Sequence, residues 1–261
     1  MKIVEYYEAR RKVGGDFQIF VKIIAWHDGE MYVGKWRDRQ QAPTTFEQLE
    51  EVKIIPTKDR GPDVRPDWKV ASSGSRGWVK QPSWEDFLSP QLEAHMEHEI
   101  EMCELLQQSP HVNVAAYRGC LLGNGRVKGL LFDKYQQTLL EKVNPQRLSK
   151  VHFVQGDRRL VDETVWDWLP QLRSAVSHLH KLGYVHNDIS PANIMIGDDE
   201  KPVLIDFEGM CRVGESLQKV KRTIGWHDET VMLARESNDW DALDEIETWL
   251  FGKVDNLKFV G

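Results

Sequence analysis

The sequence predicts an α+β chain in two lobes, the first rich in strands and the second mainly helical. Three observations carry this reading. Short runs of β-branched and aromatic residues, separated by turn residues, recur as far as Phe132. One amphipathic helical pattern interrupts them between residues 90 and 108. Beyond Asp133–Gln137 the long periodic segments have helical spacing, which places a lobe boundary there.

Taken in order, residues 1–50 read as a β-rich extension. Phe17 to Trp26 is apolar and β-branched, His27-Asp28-Gly29-Glu30 is a turn, and Met31 to Trp36 is a second strand. Residues 56–77 are rich in Pro, Gly, Ser, Asp and Arg and form a loop-dominated stretch, with short strands at Val52–Ile55 and Trp68–Ala71. A strand at Gly77–Lys80 leads past Pro82 into a helix from Pro90 to Gln108. Leu121-Leu122 and Val127–Phe132, joined by Gly123-Asn124-Gly125, form a hairpin. Asp162 caps a helix that Gly183 stops, with a stripe of Val165, Trp168, Leu169, Leu172, Val176 and Leu179. Pro170 calls for a kink or a late start in it. A last helix runs from Asp239, as cap, to Phe251. The expected organisation is an extension over 1–50, a first lobe over 51–134 and a second over 135–261.

Composition narrows the partners. With 41 acids against 34 bases the formal charge is -7, the wrong balance for a nucleic-acid backbone. Cys103, Cys120 and Cys211 lie far apart, which argues against a disulfide framework or a cysteine zinc site. No apolar run approaches a membrane span, and the N-terminus lacks a signal-peptide core. The expectation is an intracellular chain, in the cytoplasm or alternatively the nucleus, without a nucleic-acid or membrane partner.

The most informative stretch is Tyr184 to Gly209. The apolar runs Ile194–Ile196 and Val203–Ile205 flank a polar turn. If they pair antiparallel, Asn193 and Asp206 meet at the open end of the hairpin. An amide oxygen beside a carboxylate suits a hard cation such as magnesium that also takes phosphate oxygens and water. Asp188, five residues before Asn193, is placed to act on a hydroxyl brought to that site. A single loop aspartate is ordinarily a turn or cap residue; the constellation is what points to chemistry.

His186-Asn187-Asp188-Ile189-Ser190-Pro191-Ala192-Asn193 resembles the catalytic loop of protein kinases, and Asp206-Phe207-Glu208 resembles their magnesium-binding motif. Their separation, 206 minus 188 or 18 residues, suits that family. The resemblance implies a two-lobed kinase-like fold that binds ATP and Mg2+. Asp188 would be the catalytic base or substrate-orienting acid, and Asn193 and Asp206 would hold metal ions on the β- and γ-phosphates.

Phosphoryl transfer also needs a positioned cation. Of the glutamates on the helix from Pro90, Glu99 alone falls inside the apolar sector of Leu92, Met96, Ile100, Cys103 and Leu106. A buried acid needs a basic partner. Lys80, 19 residues earlier, has the interval of the kinase strand lysine and helix glutamate. Lys35, in a locally similar strand, would require an insertion of about fifty residues before the helix, far beyond ordinary loops. Lys80 is therefore preferred.

The resemblance extends over roughly residues 50 to 252, and is similar in particular to small kinase-like proteins of filamentous fungi. Leu130 to Tyr135 resembles the strand entering the hinge, with Phe132 as gatekeeper and Asp133 and Tyr135 beside the adenine. Arg222 to Trp226 resembles the end of an activation segment. Asn238 to Leu243 resembles the start of the central helix, where Asp239 would anchor the catalytic loop. Five departures stand out. No glycine-rich loop precedes Lys80, since Pro56–Asp63 holds only Gly61. Asn187 replaces the usual arginine, so control through a phosphorylated loop bound there is not expected. Ser190 stands where a lysine often contacts the γ-phosphate, and Glu208 replaces glycine. The chain also stops at Gly261, 22 residues after Asp239, which reads as a shortened second lobe.

Three functions fit. The first is an ATP-dependent serine/threonine kinase acting on a protein hydroxyl. The second is a pseudokinase that binds nucleotide or serves as a scaffold, and the third is a small-molecule kinase of the aminoglycoside or choline type.

Overall fold

The computed structural model describes residues 1–14, 16–72 and 74–259. Ser73 of the polar stretch and the chain end at Gly261 lie outside them. The chain divides into two compact units, one of residues 1–64, 81–94 and 122–128, the other of residues 65–80, 95–121 and 129–261.

The first unit is built on a four-stranded antiparallel meander of β1 (Lys2–Val13), β2 (Asp16–His27), β3 (Glu30–Trp36) and β4 (Glu50–Ile55), paired in chain order. The second half of β2 is apolar on both faces because each face is covered. Val21, Ile23 and Ala25 pack with Leu49, while Ile24 packs with Met31, Val33 and Ile55. The expected strands at Phe17–Trp26 and Met31–Trp36 are β2 and β3. Sequence reading passes over β1, an edge strand whose mostly exposed side chains leave no apolar alternation. Since β4 pairs with β3, from Met31↔Ile55 to Lys35↔Glu50, the sheet runs on past residue 50.

The second unit carries the remaining β-structure and the helices. A three-stranded sheet has the order β5 (Trp78–Lys80), β7 (Arg126–Phe132), β6 (Tyr117–Gly123), its hairpin tip belonging to the first unit. Residues 68–71 form no strand; they touch β6 through one parallel bridge, Val70↔Cys120. The predicted helix is α1 (Leu92–Gln108), whose Leu92, Met96, Ile100, Cys103 and Leu106 are buried as the stripe requires.

After β8 (Gln137–Thr138) come the helices α2 (Leu139–Val143), α3 (Lys150–Gln155) and α4 (Glu163–Lys181). Asp162 caps α4 by accepting the Val165 N–H at 3.2 Å. Pro170 does not delay this helix. It is exposed, and so is Trp166, whose carbonyl loses its helical donor to the proline and can turn to water. Four short strands follow: β9 (Tyr184–Val185), β10 (Ile194–Ile196), β11 (Pro202–Leu204) and β12 (Cys211–Arg212). The last helix, α5 (Glu236–Phe251), begins three residues earlier than predicted, at N-cap Arg235. Asp239 is thus not its cap. The residue is fully buried in the first turn, where the backbone of His186 and Asn187 claims its carboxylate.

Candidate active site

The acidic hairpin forms as an antiparallel pair with Ile194↔Leu204 and Ile196↔Pro202, one residue earlier in the second run than the sequence suggests. The Ile205 N–H still donates to the Asn193 carbonyl at 3.0 Å, so Asn193 and Asp206 flank the same open end. Asp206 takes a left-handed backbone, φ 67°, a conformation few non-glycine residues adopt. Strained backbone of this kind is retained where the surroundings enforce it.

Asp206 Oδ1 accepts from Lys80 Nζ at 2.7 Å, and the same ammonium donates to Glu99 Oε1 at 2.6 Å. Glu99 is only 6% exposed, so its partner is obligatory. Burial would lower the Lys80 pKa, but the Glu99 and Asp206 carboxylates more than offset it and hold the ammonium charged. Shared between two acids, the cation separates them. Burial pushes Glu99 up against the pull of Lys80. Asp206, also opposed by burial, is held below its ordinary range by Lys80. Lys35 by contrast pairs with Glu51 at 2.6 Å and lies 4.7 Å from the Phe20 ring centroid.

Asp188 is half-buried and fixed at both oxygens. Oδ2 accepts from Asn193 Nδ2 at 2.9 Å, and Oδ1 accepts from the Thr223 N–H at 2.6 Å. The Asn193 amide nitrogen also donates to the Asp188 carbonyl at 2.8 Å, which leaves the amide oxygen as the group offered outward. The Thr223 contact is one that sequence reading misses, because a backbone amide carries no residue signature. Nearby, Lys150 donates to the Gly225 carbonyl at 2.6 Å and pairs with the fully buried Glu245, tethering the Thr223–Trp226 turn to α5.

The loop that presents Asp188 is wired from beneath. Asp239 accepts the N–H groups of His186 at 2.9 Å and Asn187 at 2.8 Å, and His180 Nε2 donates to it at 2.8 Å. His186 Nε2 donates to the Ile205 carbonyl at 3.0 Å while its Nδ1 accepts the Asp188 N–H at 3.3 Å, which assigns the Nε2–H tautomer. Asn187 is buried and donates to the carbonyls of Val185 and Gly209, and its oxygen accepts from Asn238.

Beside Lys80 opens a cavity of about 450 Å³, bordered by Trp78, Glu99, Phe132, Asp133, Tyr135, Met195, Ile205 and Asp206. All five residues expected at the nucleotide, Lys80, Glu99, Phe132, Asp133 and Tyr135, line it. The Asp133 side chain is turned into a bidentate pair with Arg118 at 2.6 and 2.5 Å. The Tyr135 hydroxyl accepts the Ala116 N–H at 3.0 Å. Sequence reading did not single out Trp78 or Met195 as wall residues. Gly77 is needed just before Trp78, since a Cβ there would lie 2.2 Å from the Phe132 carbonyl oxygen.

The family described as Protein kinase domain matches residues 80–234, more than half of the chain. The chain belongs to this protein kinase domain family. Its relatives include maternal embryonic leucine zipper kinase of Xenopus laevis, 42% identical over 53 residues, or 20% of this chain and 8% of that protein. Serine/threonine-protein kinase Nek10 of Mus musculus is 29% identical over 126 residues, 48% of this chain and 11% of that protein. Serine/threonine-protein kinase cds1 of Schizosaccharomyces pombe is 34% identical over 91 residues, 33% of this chain and 20% of that protein. The matched part thus spans a fifth or less of each relative's length. Among the described residues of this kinase domain, no helix is long and apolar enough to cross a membrane.

The kinase domain departs from its family pattern at two places visible in the structure. β5 is the outer strand of its sheet: among the described residues only β7 pairs with it, and no hairpin lies along its other edge. Ser190 is fully buried, and its hydroxyl has no hydrogen-bond partner among the described residues. Its side chain does not reach out as a lysine at that position would.

Proposed function

We propose that this kinase domain transfers the γ-phosphoryl group of ATP to a serine or threonine hydroxyl of a protein substrate. One observation carries the reading: a single half-buried ammonium, Lys80, bridges Glu99 and Asp206 within 2.7 Å. Such an arrangement prepares a cation for phosphate oxygens while holding it in place.

The residues fit the implied cation. Asn193 offers its amide oxygen, and Asp206 has its second carboxylate oxygen beyond the one bound to Lys80. Two hard oxygen donors suit Mg2+, which keeps its other positions for phosphate and water. Bound there, magnesium would neutralise charge on the β- and γ-phosphates. Asp188 supplies the acceptor for the substrate proton. Each of its oxygens accepts a hydrogen bond from a described residue, and a carboxylate oxygen has a second lone pair for a hydroxyl. The hydroxyl oxygen attacks the γ-phosphorus, the bond to the β–γ bridging oxygen breaks, ADP leaves, and the proton passes to Asp188. Asn193 and Thr223 hold the carboxylate in one orientation during the transfer. The base edge of the nucleotide would meet the backbone at Asp133 and Tyr135, beside the gatekeeper Phe132.

A second reading, nucleotide binding without transfer, is favoured by the open edge of β5 and by the buried Ser190. Both remove contacts that would hold the γ-phosphate. A radiolabelled-ATP assay with magnesium against generic acidic and basic proteins separates the two. Label transfer that disappears in Asp206→Ala supports the kinase reading. Binding of ATP without any transfer, or transfer that survives in Asp206→Ala, overturns it.

A further inference from the structure

The sheet of the first unit has an edge that the phosphoryl-transfer scheme does not use. β1 pairs with β2 on one side, and among the described residues no strand pairs with it on the other. Past a bulge between Ile3 and Glu5, nine consecutive residues keep register with β2, from Glu5↔Ile24 to Val13↔Asp16. None of them is a proline, and among the described residues no backbone group outside the ladder bonds to theirs. A bare edge of this length is a template for a further strand.

Charged side chains blunt an edge against strands in general, but their order decides which strand it accepts. Glu8 and Arg10 point to the same face of β1, opposite Val21 and Ile19 of β2. One oxygen of Glu8 accepts from Arg39 Nε at 2.6 Å, which leaves Oε2 for a second cation. Arg10 is exposed, its guanidinium 5.4 Å from the Phe17 ring centroid, with no carboxylate partner among the described residues.

Two copies of one strand pair antiparallel about a two-fold axis, which passes beside a residue that faces its own copy. An axis at Glu8, Arg10 or Arg11 sets like charges against each other. An axis at Tyr7 puts Glu8 opposite Tyr6 and makes no ion pair. An axis at Ala9 places Glu8 of each copy opposite Arg10 of the other, and Arg11 opposite Tyr7, a cation beside an aromatic ring.

We infer that β1 is a self-association edge: two copies of this chain join their β1 strands antiparallel about Ala9, merging two four-stranded sheets into one. The occupant is a second copy because the order Glu8-Ala9-Arg10 is complementary to itself. A single strand pairing buries little surface, so the dimer is weak and concentration-dependent. It is independent of the kinase reading, since no residue of the phosphoryl-transfer scheme lies in β1.

Sedimentation equilibrium of the full chain should show monomer–dimer exchange at roughly 0.1 mM. Glu8→Arg and Arg10→Glu, each alone, oppose like charges at two points and should weaken association about tenfold or more. An equimolar mixture of the two variants should regain it as a heterodimer, because each altered strand then meets opposite charges in the other. Cysteine trapping tests the axis, since the native Cys103, Cys120 and Cys211 are all buried. Ala9→Cys sets two Cα atoms about 4.5–5.5 Å apart, within disulfide range, and should give a covalent dimer under mild oxidation. Arg11→Cys, on the same face, lies about 13 Å along the strand from its copy and should not. If either charge variant fails to fold, the trapping pair still decides. A chain that stays monomeric and gives no covalent dimer with Ala9→Cys overturns the pairing. Equal trapping by Arg11→Cys, or a mixture of folded charge variants that fails to associate, overturns the Ala9 axis and the ion pairs that select a second copy.

Discussion

The four-stranded sheet of the first unit and the catalytic-loop segment of the second are held together by opposite means. In the sheet, Ile23, Ile24 and Ala25 of β2 are almost wholly buried, and the contacts around them are apolar. In the loop, His186, Asn187 and Asp239 are just as deeply buried, but each is fixed by directional hydrogen bonds. An apolar cluster tolerates a change of shape if volume is kept. A buried polar network fails when one acceptor becomes a donor, because the remaining groups lose water and partner together.

Four measurements would break or sharpen this contrast. The largest effect belongs to Asp188→Asn, which keeps the side-chain shape but removes the proton acceptor. Under the kinase reading, single-turnover phosphoryl transfer should fall by roughly two to four decades, while the melting temperature falls only modestly, because the side chain is half-buried and loses one of its two accepted hydrogen bonds. A transfer rate equal to that of the unaltered chain would remove Asp188 from proton transfer.

Next comes Asp239→Asn, an equally small change at the base of the loop. An NH2 group would replace an oxygen that now faces donors from the backbone or from His180. The expected loss is about 2–3 kcal/mol, a fall of roughly 4–12 °C in melting temperature by differential scanning calorimetry. An unchanged melting temperature would mean that the network is not the support it looks to be.

Ile23→Val is the apolar counterpart. It removes one methylene from a side chain that is 1% exposed and should cost about 0.5–1.5 kcal/mol by urea denaturation. If this loss exceeded that of Asp239→Asn, the contrast between the two regions would be reversed.

The smallest effect is a pH dependence in the first unit. Glu93 is held down at about 2, chiefly by its hydrogen bond from Arg60 Nε at 2.6 Å. Its folded pKa lies below the ordinary glutamate value, so its contribution is full above about pH 4.5 and fades as pH falls towards 2. A third of the side chain is exposed, so solvent screening limits the effect to less than about 1 kcal/mol. Glu93→Gln should flatten the stability profile between about pH 4.5 and 2; an identical acid limb in both proteins would contradict this.

Much of the molecule is legible from residue order because it depends on local repetition. The α4 stripe, the turn at Asp28-Gly29 and the two apolar runs around Gly197 each sit within one helix or hairpin, where side-chain period decides the structure. The order His186, Asp188, Asn193 and Asp206 likewise carries the family resemblance, since all four lie along one loop and hairpin. Strand β1 shows where local reading ends. Exposed on most of its length, it has no apolar period, and backbone pairing with β2 alone makes it a strand.

The sequence by itself determined the elements of the second unit and the residue types available for phosphate chemistry. Only the tertiary structure decided which of them meet. Lys80 and Asp206 are 126 residues apart in the chain, and that Lys80, not Lys35, lies between Glu99 and Asp206 is seen only in the folded chain. Whether Asp239 caps its helix or supports the loop, whether a backbone amide reaches Asp188, and whether β5 has a neighbour on its outer edge are likewise matters of long-range packing. Periodicity is encoded within a few turns of chain. Pairing between distant polar groups is settled by the burial of everything around them.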